Sequence, residues 1–159
     1  MLNVKLLRAL GLIPRQAPRI ETDVEDKIRK VFPAMEKGVE TILVADDEIS
    51  IRKLIRDTLE PLGYKIIEAA DGEEALELFR RSECKIDLLL TDVIMPKMTG
   101  KKLVEALSAE QKEFKVLYMS GYTDNVIVHQ GILDENIEFI NKPLIPSFLT
   151  KKIREVLAK

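Results

Sequence analysis

The sequence predicts an α/β protein built on a parallel sheet with helices on both of its faces. Three observations carry that expectation. After Thr41, short aliphatic runs alternate with amphipathic stretches down to the last residues. Runs such as "TILVA" (41–45) and "IDLLLT" (86–91) lack the every-second-residue polar spacing of a half-exposed strand, so both sides are expected to be buried. Parallel neighbours need crossover connections, and each intervening stretch is long enough to be a helix.

The elements follow in order. "TILVA" is the first strand. Glu48 to about Glu60 reads as a helix, because Ile51, Leu54, Ile55, Thr58 and Leu59 recur at three- and four-residue steps. Pro61 and Gly63 close it. "YKIIEA" (64–69) is the second strand. "DGEEALELFRR" (71–81) opens the second helix on Asp71, a good cap, with Glu73 and Glu74 at its positive end. "IDLLLT" is the third strand, "GKKLVEALSAE" (100–110) the third helix and "FKVLYM" (114–119) the fourth strand. Thr123 to about Leu133 is a weaker, helix-prone segment. "IEFIN" (137–141) is the fifth strand. The last helix runs from Pro146, whose missing N–H costs nothing in a first turn, to Ala158.

Residues 1–40 have a different rhythm and are expected to be an extension or linker, partly helical, ahead of a domain at 41–159. "MLNVKLLRALGLIPR" resembles a signal peptide only loosely. Lys5 and Arg8 interrupt the apolar run, no small-residue cleavage site follows, and the run is too short to span a bilayer. Leu2–Leu12 reads as a short amphipathic helix. Pro14, Pro18, Pro33 and Gly38 mark the rest as a leader, with a few helical turns around "IETDVEDKIRKVF" (20–32).

Composition narrows the function classes. The chain has 159 residues, 33% of them charged and well mixed, with net charge −2, which argues against general nucleic-acid or anionic-membrane binding. Cys84 is the only cysteine, so an internal disulfide and a multi-cysteine zinc site are both excluded, and a reducing cytoplasm fits. His129 is the only histidine, which removes any mechanism needing two from one chain.

Reactive groups in open α/β sheets collect beyond the carboxyl ends of the strands. There the sequence places Asp46 and Asp47 after the first strand, Asp92 after the third, Ser120 after the fourth, and Lys142 with Pro143 after the fifth. Three carboxylates repel one another unless a cation joins them, and oxygen ligands alone suit a hard one, Mg2+ above all. Lys142 and Ser120 supply a compact positive charge and a hydroxyl for phosphoryl oxygens. One carboxylate is then the nucleophile that forms an acyl phosphate. Other readings of single residues exist. Asp46 and Asp47 suit helix capping. Asp92 at a strand end resembles a Walker B acid, but no G-x-x-x-x-G-K-[ST] occurs, and "TGKK" (99–102) is incomplete. A dehalogenase-like phosphatase would need a second acid at position 94, where Ile94 stands.

"VADDE" (44–48), "LLLTDVIMPKMTG" (88–100), "YMSGY" (118–122) and "FINKP" (139–143), in this order and spacing, resemble the receiver domain of two-component response regulators. The resemblance covers 41–158 and leaves the first 40 residues outside. It implies a flavodoxin-like five-stranded parallel sheet in the order 2-1-3-4-5. It also implies a phosphoacceptor, Asp92, and a Mg2+ site formed by Asp46, Asp47, Asp92 and the Ile94 carbonyl. Ser120 would bond the phosphoryl oxygen and Lys142 would bridge the site. Pro143 would follow a cis peptide bond, and Phe139 would be the aromatic switch that turns inward as Ser120 moves. The family often has tyrosine there, so phenylalanine keeps the packing signal and drops the hydroxyl. Gly121 keeps the approach beside Ser120 clear, and Gly100 lets the loop turn into the third helix. Apolar Ile94 and a shielding Tyr122 point to slow loss of the phosphoryl group.

The expected function is therefore a cytoplasmic phosphoacceptor, not a turnover enzyme. It takes phosphate from a sensor histidine kinase and passes the signal, or the phosphate through a histidine phosphotransfer protein. The signalling surface would combine the segment at 123–133, the fifth strand and the last helix. Neither a DNA-binding domain nor a transmembrane segment is expected. The leader favours an independent product, whereas "VFPAMEKGVETILVADDE" (31–48) resembles the join before the receiver of a hybrid sensor kinase. A Mg2+-dependent phosphatase is the remote alternative.

Overall fold

A computed structural model describes residues 38–110, 113–121 and 137–159. The leader to residue 37, Tyr122, His129 and the segment expected to be helical at 123–133 lie outside them. The described elements are β1 (Thr41–Ala45), α1 (Ile49–Leu59) with a 3-10 turn (Glu60–Leu62), β2 (Lys65–Ala69), α2 (Gly72–Arg81) and β3 (Leu88–Asp92). They continue with α3 (Gly100–Glu110), β4 (Lys115–Ser120), β5 (Phe139–Asn141) and α4 (Pro146–Leu157). All strand pairs are parallel, and the sheet order is β2-β1-β3-β4-β5, as the resemblance implied.

Alternation along the strands sorts the core into two layers. Ile42, Val44, Leu88, Leu90, Leu117 and Met119 meet α1 and α4 through Ile55, Leu59, Leu149, Ile153 and Val156. On the other face Leu43, Ala45 and Leu89 meet α2 and α3 through Ala75, Leu103 and Leu107. The runs are unbroken because described helices cover both faces of the sheet. On α1 the expected stripe is real: Ile55 and Leu59 are buried, and Ile51 and Leu54 pack against them. Thr58 spends its hydroxyl on the Leu54 carbonyl, 2.7 Å away. Gly63 closes this unit at φ +98°, where a Cβ would also stand 2.4 Å from the Gly38 carbonyl oxygen.

The same alternation aims the strand ends. Asp92 continues the Leu88–Leu90 face, and Asp46, just past β1, continues the Ile42–Val44 face of the neighbouring strand. Two carboxylates thus emerge side by side from the centre of the sheet. Among the described residues, no helix is long and apolar enough to cross a membrane.

Candidate functional site

Lys142 joins the strand ends. Its Nζ lies 2.6 Å from Asp92 Oδ2, 2.8 Å from Asp46 Oδ2 and 3.7 Å from Glu48 Oε1. The lysine side chain is 13% exposed and Asp46 wholly buried, so these charges meet with little water between them. The peptide bond from Lys142 to Pro143 is cis, as the resemblance implied. The Lys142 N–H donates to the Ser120 carbonyl at 2.7 Å, which ties the lysine to the end of β4.

Each carboxylate is held differently. Asp92 accepts from Lys142 on Oδ2 and from the Ile94 N–H, at 3.2 Å, on Oδ1. Asp46 accepts from the Glu48 N–H at 2.8 Å on Oδ1. Part of the capping reading is therefore right: the α1 N-cap is Glu48, whose own side chain makes no cap bond, and Asp46 serves that N–H. Asp46 Oδ2 has its charge contact with Lys142 but no aligned hydrogen bond among the described residues. Asp47 is exposed.

The electrostatics follow from burial. Enclosure pushes the Asp46 carboxyl above the ordinary aspartate range, more than Lys142 and the Glu48 N–H pull it down; Asp92 nearby adds to the rise. Burial alone would lower Lys142, but its contacts with Asp46 and Asp92 outweigh that and hold it above the usual lysine value. One ammonium shared by two acids stays protonated and neutralises neither fully.

A cation fits this arrangement. Asp46, Asp47 and Asp92 each offer an oxygen within 4.8 Å of the others. Three carboxylates against one ammonium leave two negative charges when all are ionised, and a buried oxygen of Asp46 has an unused acceptor position. An all-oxygen donor set with these properties suits Mg2+.

The surrounding loops are fixed by contacts that sequence reasoning missed. Gly100 is needed for close approach: a Cβ there would stand 2.2 Å from the Asp92 carbonyl oxygen and 3.1 Å from Thr91 Oγ1. Its positive-φ freedom is not used. Gly100→Ala is expected to cost about 1–3 kcal/mol by overpacking the strand end, measurable as a lowered urea midpoint at unchanged m-value. Asp71 Oδ1 caps α2 through the Glu74 N–H at 2.9 Å, as expected of that residue, and Lys97, at φ +64°, adds an unexpected contact by reaching back to Asp71 Oδ2 at 2.5 Å. The Lys97 ammonium beside Asp71 holds that carboxyl below its usual range. Arg52 Nη1 donates to the Asp46 carbonyl at 2.6 Å. Only the four-residue step from Glu48 to Arg52 hinted at a link across the start of α1.

Among the remaining expected residues, Ser120 is buried at the end of β4. Phe139 is partly buried against Val93 and Tyr118, and it pairs with Tyr118 in the β4–β5 ladder. Ser120, Tyr118 and Phe139 therefore share a sheet face. Ile94 is 50% exposed. Among the described residues, a Cβ at Gly121 meets nothing within 4 Å.

Residues 42–154 match the family model described as the response regulator receiver domain. The sensor kinase CckA of Brucella abortus (strain 2308) is 31% identical over 140 residues, covering 87% of this chain and 15% of that protein. The probable transcriptional regulator ycf27 of Porphyridium aerugineum is 36% identical over 120 residues, covering 76% of this chain and 49% of its own length. The chain thus spans half or less of these two curated relatives. Among solved structures, the Vibrio cholerae chemotaxis protein CheY4 superposes with a TM-score of 0.66 at 31% identity, over 75% of this chain and 99% of that one.

Proposed function

The chain belongs to the response regulator receiver domain family of two-component signalling, and we propose that Asp92 accepts a phosphoryl group from a histidine kinase with Mg2+ bound beside it. The observation that carries this reading is the convergence of Asp46, Asp92 and Lys142 within 2.8 Å contacts at one end of the sheet. An oxygen of Asp92 attacks phosphorus, the donor nitrogen leaves with the electron pair of the broken P–N bond, and an acyl phosphate results. Asp46, Asp47, Asp92 and the Ile94 carbonyl would hold the metal, which when bound supplies charge neutralisation to the phosphoryl oxygens. Lys142, kept protonated by its contacts, adds its own positive charge beside Asp92.

The signal then leaves through packing. Ser120 turns toward the phosphoryl oxygens, and Phe139, on the same sheet face, fills the space behind it. Gly121 keeps the approach open. With Ile94 offering no polar group to orient water, loss of the phosphoryl group is slow.

A second reading places this receiver in a hybrid sensor kinase lineage acting in phosphorelay. One observation favours it: the likeness to CckA covers 87% of the chain. Residues 41–159 make up only about 75% of the 159, so part of the leader is included. Incubation with acetyl phosphate and Mg2+, read by intact mass, tests the main proposal. One added phosphoryl group without continued phosphate release is expected. Steady release with turnover would instead indicate a phosphatase.

A further inference from the structure

We propose that Arg52 is a positioning residue for the metal site, acting through the Asp46–Asp47 peptide; this rests on the Mg2+ reading above. The Asp46 carbonyl and the Asp47 N–H belong to one rigid peptide plane. Arg52 Nη1 donates to that carbonyl at 2.6 Å, while the Arg52 backbone N–H donates to the Glu48 carbonyl at 3.2 Å. One residue of α1 therefore grips the acidic loop at two points. The loop's other anchors all act on Asp46 or Glu48: the Asp46 N–H donates to the Ala69 carbonyl at 3.2 Å, and Asp46 Oδ1 accepts from the Glu48 N–H. Asp47 is exposed and makes no hydrogen bond to the described residues. Its carboxylate is aimed by the peptide plane that Arg52 holds.

Positioning and bulk electrostatics have opposite signs here, which makes the inference testable. Arg52 adds positive charge beside three carboxylates, so its removal should strengthen cation binding if charge alone matters. If Arg52 orients Asp47, its removal weakens binding despite the gain in negative charge. The expected result for Arg52→Ala is Mg2+ binding weaker by about three- to tenfold in calorimetric titration of the full chain. The Asp47 amide resonance of the metal-free protein should also shift, since it reports on the hydrogen bond across its own peptide. Arg52→Lys, which keeps charge and a donor but loses the fork, should fall between the two and covers the case in which the alanine variant fails to fold.

Unchanged or tighter Mg2+ binding in Arg52→Ala, or an unmoved Asp47 amide, would overturn the role of Arg52 alone. A wild-type chain that binds no Mg2+ would overturn the metal site and this inference together.

Discussion

Lys142→Met is expected to destabilise the metal-free protein by about 3–5 kcal/mol, the cost of leaving buried charge without its partner. The lysine's side chain is 13% exposed and contacts Asp92 and the fully buried Asp46. Because its folded pKa is raised above 10.5, its stabilising contribution is intact at neutral pH and below. That contribution is lost only as pH rises through the folded value. Two further results follow. Acid should partly rescue the variant, since the carboxyl of Asp46 is already pushed up and protonates early. Phosphorylation by acetyl phosphate should slow by about two to three orders of magnitude, the usual effect of removing one preorganised group that neutralises developing charge. Thermal melts across pH and a phosphorylation time course check these results. A variant as stable as the parent at pH 7 would contradict this stabilising role of Lys142.

Asp46→Asn should have the opposite effect on the metal-free protein. A carboxyl whose folded pKa lies above its unfolded one favours folding only while protonated; above that value its ionisation costs stability. Replacing it with a neutral amide removes the cost and one of three mutually repelling acids. The metal-free midpoint should rise, by about 1 kcal/mol or a few degrees. Mg2+ should then no longer stabilise the protein, whereas the parent gains in proportion to the logarithm of metal concentration over Kd. Melting curves with and without Mg2+ separate the two effects. A lower metal-free midpoint with the Mg2+ shift retained would contradict the proposed metal role.

The fold was legible because β1 and β3 are apolar on both faces and each of the first three crossovers repeats at helical steps. Strand ends were less legible. Asp92 and Ser120 are the last residues of their strands rather than the first beyond them, since their backbones still pair with Met119 and Asn141. At the other end of the ladder, Ile137 and Glu138 read as strand but lie ahead of β5, which begins at Phe139. The convergence of Asp46, Asp92 and Lys142 was readable because strand ends in a parallel sheet share one edge. The clamps were not. Arg52 looks like any solvent-facing arginine until the rotation of α1 is known. The pairing of Lys97 with Asp71 joins two loops whose sequences carry no shared pattern. Gly100 suggested a turn, yet the constraint on it is the Asp92 carbonyl, a neighbour that only the packed structure supplies.

Asp92, and neither of its neighbouring acids, is the proposed phosphoacceptor. An acyl phosphate on aspartate is reduced by borohydride to homoserine, which leaves a permanent mass change at the residue that carried it. After phosphorylation with acetyl phosphate and Mg2+, then borohydride and peptide mass mapping, homoserine is expected at position 92 only, and nowhere in the Asp92→Asn variant. Homoserine at position 46 or 47, or an unmodified residue 92 in a chain that has gained phosphoryl mass, would overturn the assignment of Asp92.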